Sequence, residues 1–230
     1  MGLKDDLQNE VKAIFATQWQ IRDGKKVPET EELKLGNDAV KIKATVLYAD
    51  LAESTSLVDH HKPHFAAEIY KSYLHCASKI IRSENGVITA FDGDRVMGVF
   101  IGDTKNTSAA RCALKINHAV VKILNPAIKQ QYPQSTYTIK QSVGVDNCEL
   151  LVSRTGVRGS NDLVWVGRAA NYAAKLCSLR ESNYTSYITA DVYNSMHDSV
   201  KYTDKKPMWE NRTWTAKNMT VYRSNWMWTP

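Results

Sequence analysis

The stretch Ile88–Phe100, "ITAFDGDRVMGVF", constrains the fold of this chain more than any other. Two apolar runs flank Asp92-Gly93-Asp94. Asp-Gly between alternating apolar residues marks a tight β-hairpin, because glycine takes positive φ at no steric cost. A hairpin over 87–101 sets two antiparallel strands side by side and commits the chain to a sheet. Asp92 accounts for the turn. Asp94 is expected to open the return strand, where a carboxylate is a poor β-former, so it needs a reason of its own.

The surrounding pattern places the hairpin in a larger order. Residues 3–20 read as an amphipathic helix and 22–37, "RDGKKVPETEELKLGN", as a polar connector with turn signals. "AVKIKATVLYAD", 39–50, alternates and then runs continuously apolar, the pattern of a buried strand ending at Asp50. Ser54 or Thr55 is placed to cap a helix. Another helix follows Pro63 and stops near Asn85-Gly86. After the hairpin come a helix over 107–124 stopped by Asn125-Pro126, two strands in "STYTIKQSVGVDNCELLVSR", an Ala-rich helix over 167–182, the strand "YTSYITA", a short helix and two tail strands. The expected class is α+β with a ferredoxin-like βαββαβ core and an N-terminal helical extension. Residues 1–37 would form the extension and 38–230 the main domain.

With 230 residues, 43% of them hydrophobic, the chain can bury a real core. Its apolar runs are too short to span a bilayer, and the charged start lacks the apolar segment of a signal peptide. Cys76, Cys112, Cys148 and Cys177 are widely spaced, which suits reduced thiols and a cytoplasmic setting. The net charge of +6 is scattered, so neither a nucleic acid nor a membrane surface is the expected partner, and a nucleotide would suit it. His60, His61 and His64 sit in a polar loop with no Cys or Asp at ligand spacing, which reads as a surface cluster and not a zinc site.

In a ferredoxin-like sheet the first strand lies beside the hairpin, so Asp50 and Asp94 can point at one spot. Two carboxylates that close repel unless a cation lies between them. Mg²⁺ or Mn²⁺ is the natural guest, since hard cations use one or two carboxylates plus substrate phosphates. Spacing alone leaves the plainer alternative open, that Asp50 ends a strand and Asp94 a turn.

"VLYADLAEST", "FDGDRVMGVF", "SVGVDNCELLVS" and "VWVGRAANYAAKL", in that order across about residues 42–223, resemble the class III nucleotide cyclases. The resemblance implies that Asp50 and Asp94 hold two divalent cations, assisted by the Leu51 carbonyl. It implies that Asn171 orients the ribose and that Lys175 contacts the phosphate. Most relatives carry arginine in the Lys175 slot; lysine keeps the charge but loses the bidentate fork. Asn171 and Lys175, four apart, share one helix face. Amides near Ala52 to Thr55, with Ser54 and Thr55, would cradle the triphosphate, and Lys217 is a candidate for a further phosphate contact. The family pairs head to tail, so a homodimer with two composite sites is implied, each taking its metals from one protomer and its Asn and basic residue from the other.

Purine cyclases of this family read the base with two side chains, commonly Lys and Asp. Those positions here are Ala90 and Val164, which leaves a purine edge without partners. Tyr48, two residues before Asp50, would narrow the pocket to one ring. Arg95 could donate to O2 and O4 of uracil or to O2 and N3 of cytosine. With "RDGKKVP" upstream and "GSNDLVWVGRAANYAAKL" downstream, the chain resembles the pyrimidine cyclases of bacterial Pycsar antiphage systems. That implies conversion of UTP, favoured over CTP, to the 3′,5′-cyclic monophosphate, read by a separate effector protein. The alternatives are an adenylate or guanylate cyclase with an atypical pocket and an inactive nucleotide-binding regulatory domain.

Overall fold

The structure is a computed structural model, and it describes residues 2–181 and 183–230. The first half of the chain comprises α1 (Leu3–Ala16), β1 (Gln20–Asp23), β2 (Asp38–Leu51), α2 (Ser54–His60), α3 (Pro63–Ser83), β3 (Val87–Asp92), β4 (Arg95–Phe100) and α4 (Lys105–His118). A π-helical stretch, Ala119–Leu124, leads into α5 (Asn125–Gln131), β5 (Gln141–Val157), β6 (Ser160–Val166) and α6 (Arg168–Cys177). The rest is β7 (Ser186–Thr189), α7 (Ala190–Ser195), β8 (Tyr202–Thr203), β9 (Lys206–Pro207), β10 (Glu210–Trp214) and β11 (Met219–Ser224). Two compact units emerge, Met1–Lys43 with Glu149–Gly167, and Ala44–Cys148 with Arg168–Pro230.

In the larger unit the strand order is β10-β11-β7-β5-β2-β4-β3. Its β5-β2-β4-β3 portion, with α3 and α4 as crossovers, is the expected βαββαβ core. The β2 strand alternates: Leu47, Ala49 and Leu51 are fully buried in the main apolar cluster, while Tyr48 and Asp50 face the other way and are only partly covered. Against that buried face lies α3, whose Phe65, Ile69, Tyr73, Ala77 and Ile81 recur every fourth residue and share one stripe. Each large apolar side chain fully buried there contributes about 1.5–3 kcal/mol. The helix begins with Pro63 in its first turn and ends as expected at Asn85-Gly86. Asn85 turns left-handed, its amide bonds Arg82 O, and the Gly86 amide returns to Ile81 O, satisfying carbonyls at the helix end.

Several boundaries differ from expectation. Asn125-Pro126 does not stop the helix: Pro126 falls in the first turn of α5, where no N–H is required, after the wider π turn. "STYTIK" is not a strand, and β5 is one long strand of 17 residues. The helix expected over 167–182 closes at Cys177. Asp94 does not open β4; it lies in the two-residue Gly93-Asp94 turn, with Gly93 at φ +61°. Positive φ at the first turn position alone matches the hairpin turn that favours glycine there.

The smaller unit holds α1, β1, the start of β2, the end of β5, and β6. Residues 20–23, expected to divide between helix and connector, form β1, which pairs in parallel with β2 from Gln20↔Asp38 to Asp23↔Lys41. Arg22 pairs with the nearly buried Asp38, and Ser153 Oγ donates to the Asp38 carbonyl. The end of β5 pairs antiparallel with β6. On α1 every residue is exposed, including Leu7, Val11, Ile14 and Phe15. No helix among the described residues is long and apolar enough to cross a membrane.

Candidate active site

The face of the sheet opposite α3 carries four of the sequence-derived candidates, Tyr48, Asp50, Ala90 and Arg95. Across β2 and β4, Tyr48 opposes Met97 and Asp50 opposes Arg95. Across β4 and β3, Met97 opposes Ala90 and Arg95 opposes Asp92, with an irregularity between Ile88 and Ala90. Directly opposed residues share a sheet face, as do alternate residues of one strand. Tyr48, Asp50, Met97, Arg95, Ala90 and Asp92 therefore line one surface.

At one end of that surface Asp50 lies within the electrostatic reach of Asp94. The Asp50 side chain is 15% exposed. Its pKa is pushed above the usual carboxylate value first by burial and then by the negative charge of Asp94, with Arg180 and Arg95 pulling the other way. Asp94 Oδ2 is buried with no hydrogen-bond partner. A bare buried carboxylate oxygen beside a second carboxylate is a site short of positive charge. The donor set is all oxygen and suits a hard cation such as Mg²⁺ or Mn²⁺. Among the described residues no three His, Cys, Asp or Glu side chains converge as a protein-only cage, so a cation held by this pair would draw further ligands from substrate or solvent.

The base-reading candidates lie further along the same strands. Arg95 sits over the Tyr48 ring, 5.2 Å from its centroid, and its Nη2 donates to Asp92 Oδ2 at 2.6 Å. Burial raises the Tyr48 pKa, so its phenol is a neutral hydroxyl at physiological pH. Arg95 Nε is buried and unpartnered. Met97, almost fully buried, separates Tyr48 from the small Ala90.

The turn after β2 differs from expectation in detail. Glu53, not Ser54 or Thr55, occupies the N-cap of α2, in a left-handed conformation with no side-chain cap bond. The Ala52 amide is already committed to the Lys140 carbonyl at 2.8 Å. Only the amides following it are left for an anion.

Asn171 and Lys175 belong to a second group, on α6. Gly144 of β5 lets this helix approach: a Cβ there would stand 2.1 Å from the Ala173 carbonyl oxygen and 2.4 Å from the Cys177 amide nitrogen. Ala169 and Ala173 are fully buried at the contact. Arg168 fixes the start of α6 by pairing with the fully buried Asp146 and with Asp191, and Thr189 Oγ1 donates to Asp146 at 2.6 Å. Burial raises the Asp146 pKa, against the hydrogen bond from Thr189 and the charge of Arg168. Asn171 and Lys175 are exposed on the outer face. Lys217, in a short turn between β10 and β11, lies 5.6 Å from the centroid of Tyr172 and so joins this group. Among the described residues, neither Asn171 nor Lys175 has a side-chain hydrogen bond or ion pair with either aspartate. Val164, on β6 opposite Ser153, belongs to the smaller unit.

The chain is 54% identical over 230 residues to a uridylate cyclase of Xanthomonas perforans, covering 99% of both chains. It is 50% identical over the full length of a uridylate cyclase of Burkholderia cepacia. The chain belongs to the uridylate cyclase family. A third member, from a Rhodovulum species, is 39% identical over 98% of the chain and 97% of its own length. No family model matches the chain. Among solved structures, the guanylyl cyclase Cya2 superposes with a TM-score of 0.70 at 17% identity, over 83% of this chain and 95% of its own. The adenylyl cyclase CyaB from P. aeruginosa gives 0.64 at 21%, over 81% and 95%. These structural likenesses establish the class III cyclase catalytic fold for this uridylate cyclase family member.

Two residues of the site escaped the sequence. Arg180 Nη2 donates to Asp50 Oδ2 at 2.9 Å and to the Leu51 carbonyl at 2.8 Å. The partners are 130 positions apart, and no local pattern joins them. Gly144 sits inside a strand, and isolated glycines in strands mark close backbone approach; that signal was available in the sequence.

Proposed function

We propose that this chain converts UTP to 3′,5′-cyclic UMP and pyrophosphate, with residues 38–230 as the catalytic domain. The observation that carries the substrate is full-length identity of 54% and 50% to proteins named uridylate cyclase. The Tyr48–Arg95 pair supports it, with Ala90 beyond Met97 on the same sheet face: a ring that narrows the pocket, a cationic donor beside it, and no lysine or aspartate at the positions that read a purine edge.

In this proposal Asp50, Asp94 and the Leu51 carbonyl hold two divalent cations, Mn²⁺ or Mg²⁺. Such ions supply activation of the ribose 3′-hydroxyl and charge neutralisation on the triphosphate. Arg95 donates to the uracil carbonyl oxygens while Tyr48 packs on the ring. The amides of 53–55, with Ser54 and Thr55, meet the phosphates at the entry to α2. Asn171 orients the ribose so that its 3′-oxygen lies in line with the α-phosphorus. Lys175 offsets negative charge developing on that phosphate as pyrophosphate leaves, and Lys217 holds a terminal phosphate.

The lack of a side-chain hydrogen bond or ion pair, among the described residues, between the aspartates and Asn171 or Lys175 supports a head-to-tail homodimer, in which each half-site is completed by the other protomer. The exposed apolar stripe of α1 offers further area for such pairing. Resemblance to the Pycsar cyclases supports a cytoplasmic signal made in antiphage defence and read by a separate effector. The test is incubation with each of the four NTPs and Mn²⁺, with products separated by chromatography. Cyclic UMP as the dominant product is expected; cyclic AMP, cyclic GMP or no product would overturn the proposal.

A further inference from the structure

We infer that Arg180 is a built-in counter-cation of the metal site, which a divalent ion must displace to bind. The inference rests on the proposed role of Asp50, Asp94 and Leu51 as metal ligands. One nitrogen, Nη2, donates both of its hydrogens to that ligand set, to Asp50 Oδ2 at 2.9 Å and to the Leu51 carbonyl at 2.8 Å. An ion the size of Mg²⁺ would need to stand about 2.1 Å from these same oxygens. Guanidinium and ion cannot share that space, and their like charges repel. Occupancy by one therefore excludes the other.

The backbone of Arg180 points the same way. Its φ is +39°, a left-handed conformation that a residue with a side chain holds only when its surroundings fix it. Its side chain is held by the bonds to Asp50 and Leu51, and the next residue's amide, Glu181 N, donates to Tyr187 Oη at 2.8 Å. The side chain is 39% exposed and so has a way out. Arg180 also borders a cavity of about 510 Å³ with Ala52, Glu53, Lys140 and Gln141. A displaced guanidinium would thus become a free cation beside the turn proposed for the triphosphate. Entry of the ion would convert Arg180 from a carboxylate partner into a positioning group for phosphate.

The test is Mn²⁺ binding to the nucleotide-free protein, followed by the paramagnetic resonance signal of free Mn²⁺, for wild type, Arg180→Met and Asp94→Ala. Removing a competitor held by two charge-assisted bonds should tighten Mn²⁺ binding by roughly tenfold in Arg180→Met. Asp94→Ala should abolish it. Equal affinity in wild type and Arg180→Met would overturn the inference alone. Mn²⁺ binding in neither chain, or undiminished binding in Asp94→Ala, would overturn the metal assignment and the inference with it. Amide hydrogen exchange on the wild-type chain gives a readout that needs no variant. Mn²⁺ should speed exchange around residues 178–181 as Arg180 is released, and unchanged exchange at saturating Mn²⁺ would overturn the inference.

Discussion

The Arg95 guanidinium lies 5.2 Å from the centroid of Tyr48, one strand away, and keeps a buried, unpartnered Nε beside it. The ring contact uses none of the guanidinium's N–H donors and Asp92 engages Nη2, which leaves Arg95 with further donors for carbonyl oxygens. Arg95→Ala should lower kcat/KM for UTP by about 10- to 100-fold, the loss of a hydrogen bond to a charged group. Tyr48→Ala should widen the pocket and reduce discrimination against ATP and GTP. Steady-state kinetics with each nucleotide checks both, and an unchanged UTP preference in the two variants would remove this pair from base recognition.

Asp50, next to last in β2, and Asp94, in the hairpin turn, are close enough for the charge of one to raise the pKa of the other. If they hold the ions, Asp50→Ala or Asp94→Ala should reduce turnover by more than a thousandfold, as expected when both charge stabilisation and nucleophile activation are lost. The fold should persist, because neither side chain belongs to the main apolar cluster. Circular dichroism and a turnover assay read the two effects separately. Near-normal activity in either variant would rule out the assignment.

Among the described residues Asn171 and Lys175 have no side-chain hydrogen bond or ion pair with the aspartates of their own chain, and this has a consequence in mixtures. Asp94→Ala chains and Asn171→Ala chains should each be inactive as homodimers. Mixed and re-equilibrated in equal amounts, half the dimers would be mixed, each with one intact site. Activity should then recover to about a quarter of wild type. Failure to recover, with exchange shown by native mass spectrometry, would place all site residues within one chain.

Gly144 sets how closely α6 approaches the sheet. A methyl group there meets backbone atoms, the Ala173 carbonyl and the Cys177 amide, which cannot rotate away. Gly144→Ala should cost about 1–3 kcal/mol in stability through overpacking. It should also lower kcat by shifting Asn171 and Lys175, which ride on α6. Thermal denaturation and kinetics measure the two, and a variant with wild-type values in both would show that α6 has slack.

Where pattern and packing agree, the sequence was a sufficient guide. The apolar run of 39–50 marked a buried strand ending at Asp50, and the helical spacing after Pro63 with its Asn85-Gly86 stop matched the observed helix. Local signals failed where a tertiary partner overrode them. Pro126 read as a terminator because nothing local announces a π turn. Residues 20–23 divided between helix and connector in the sequence because their strand character comes from pairing with β2. Asp94 read as a strand residue because Asp92-Gly93 looked like the turn pair, whereas Gly93-Asp94 is. The carboxylate pair was legible through topology, but Arg180, which reaches it from a distant loop, was not.

The raised pKa of Asp50 makes a signed prediction for pH. Burial and Asp94 lift it above 3.8, so the metal-free native chain binds this proton more tightly than the unfolded chain does. Its contribution to stability therefore falls as pH rises from about 3.8 through the raised native value, and is level above it. Divalent cations require the ionised form, so their apparent affinity should rise across the same window. Asp50→Asn removes the titration. In EDTA, the Tm difference between Asp50→Asn and wild type should move in favour of the variant as pH rises through that window. The stabilisation of wild type by Mn²⁺ should grow over the same interval and be absent from the variant. Melting curves across the acid range check both trends, and a Tm difference moving towards wild type would mean that Arg180 outweighs burial and Asp94 at this carboxylate.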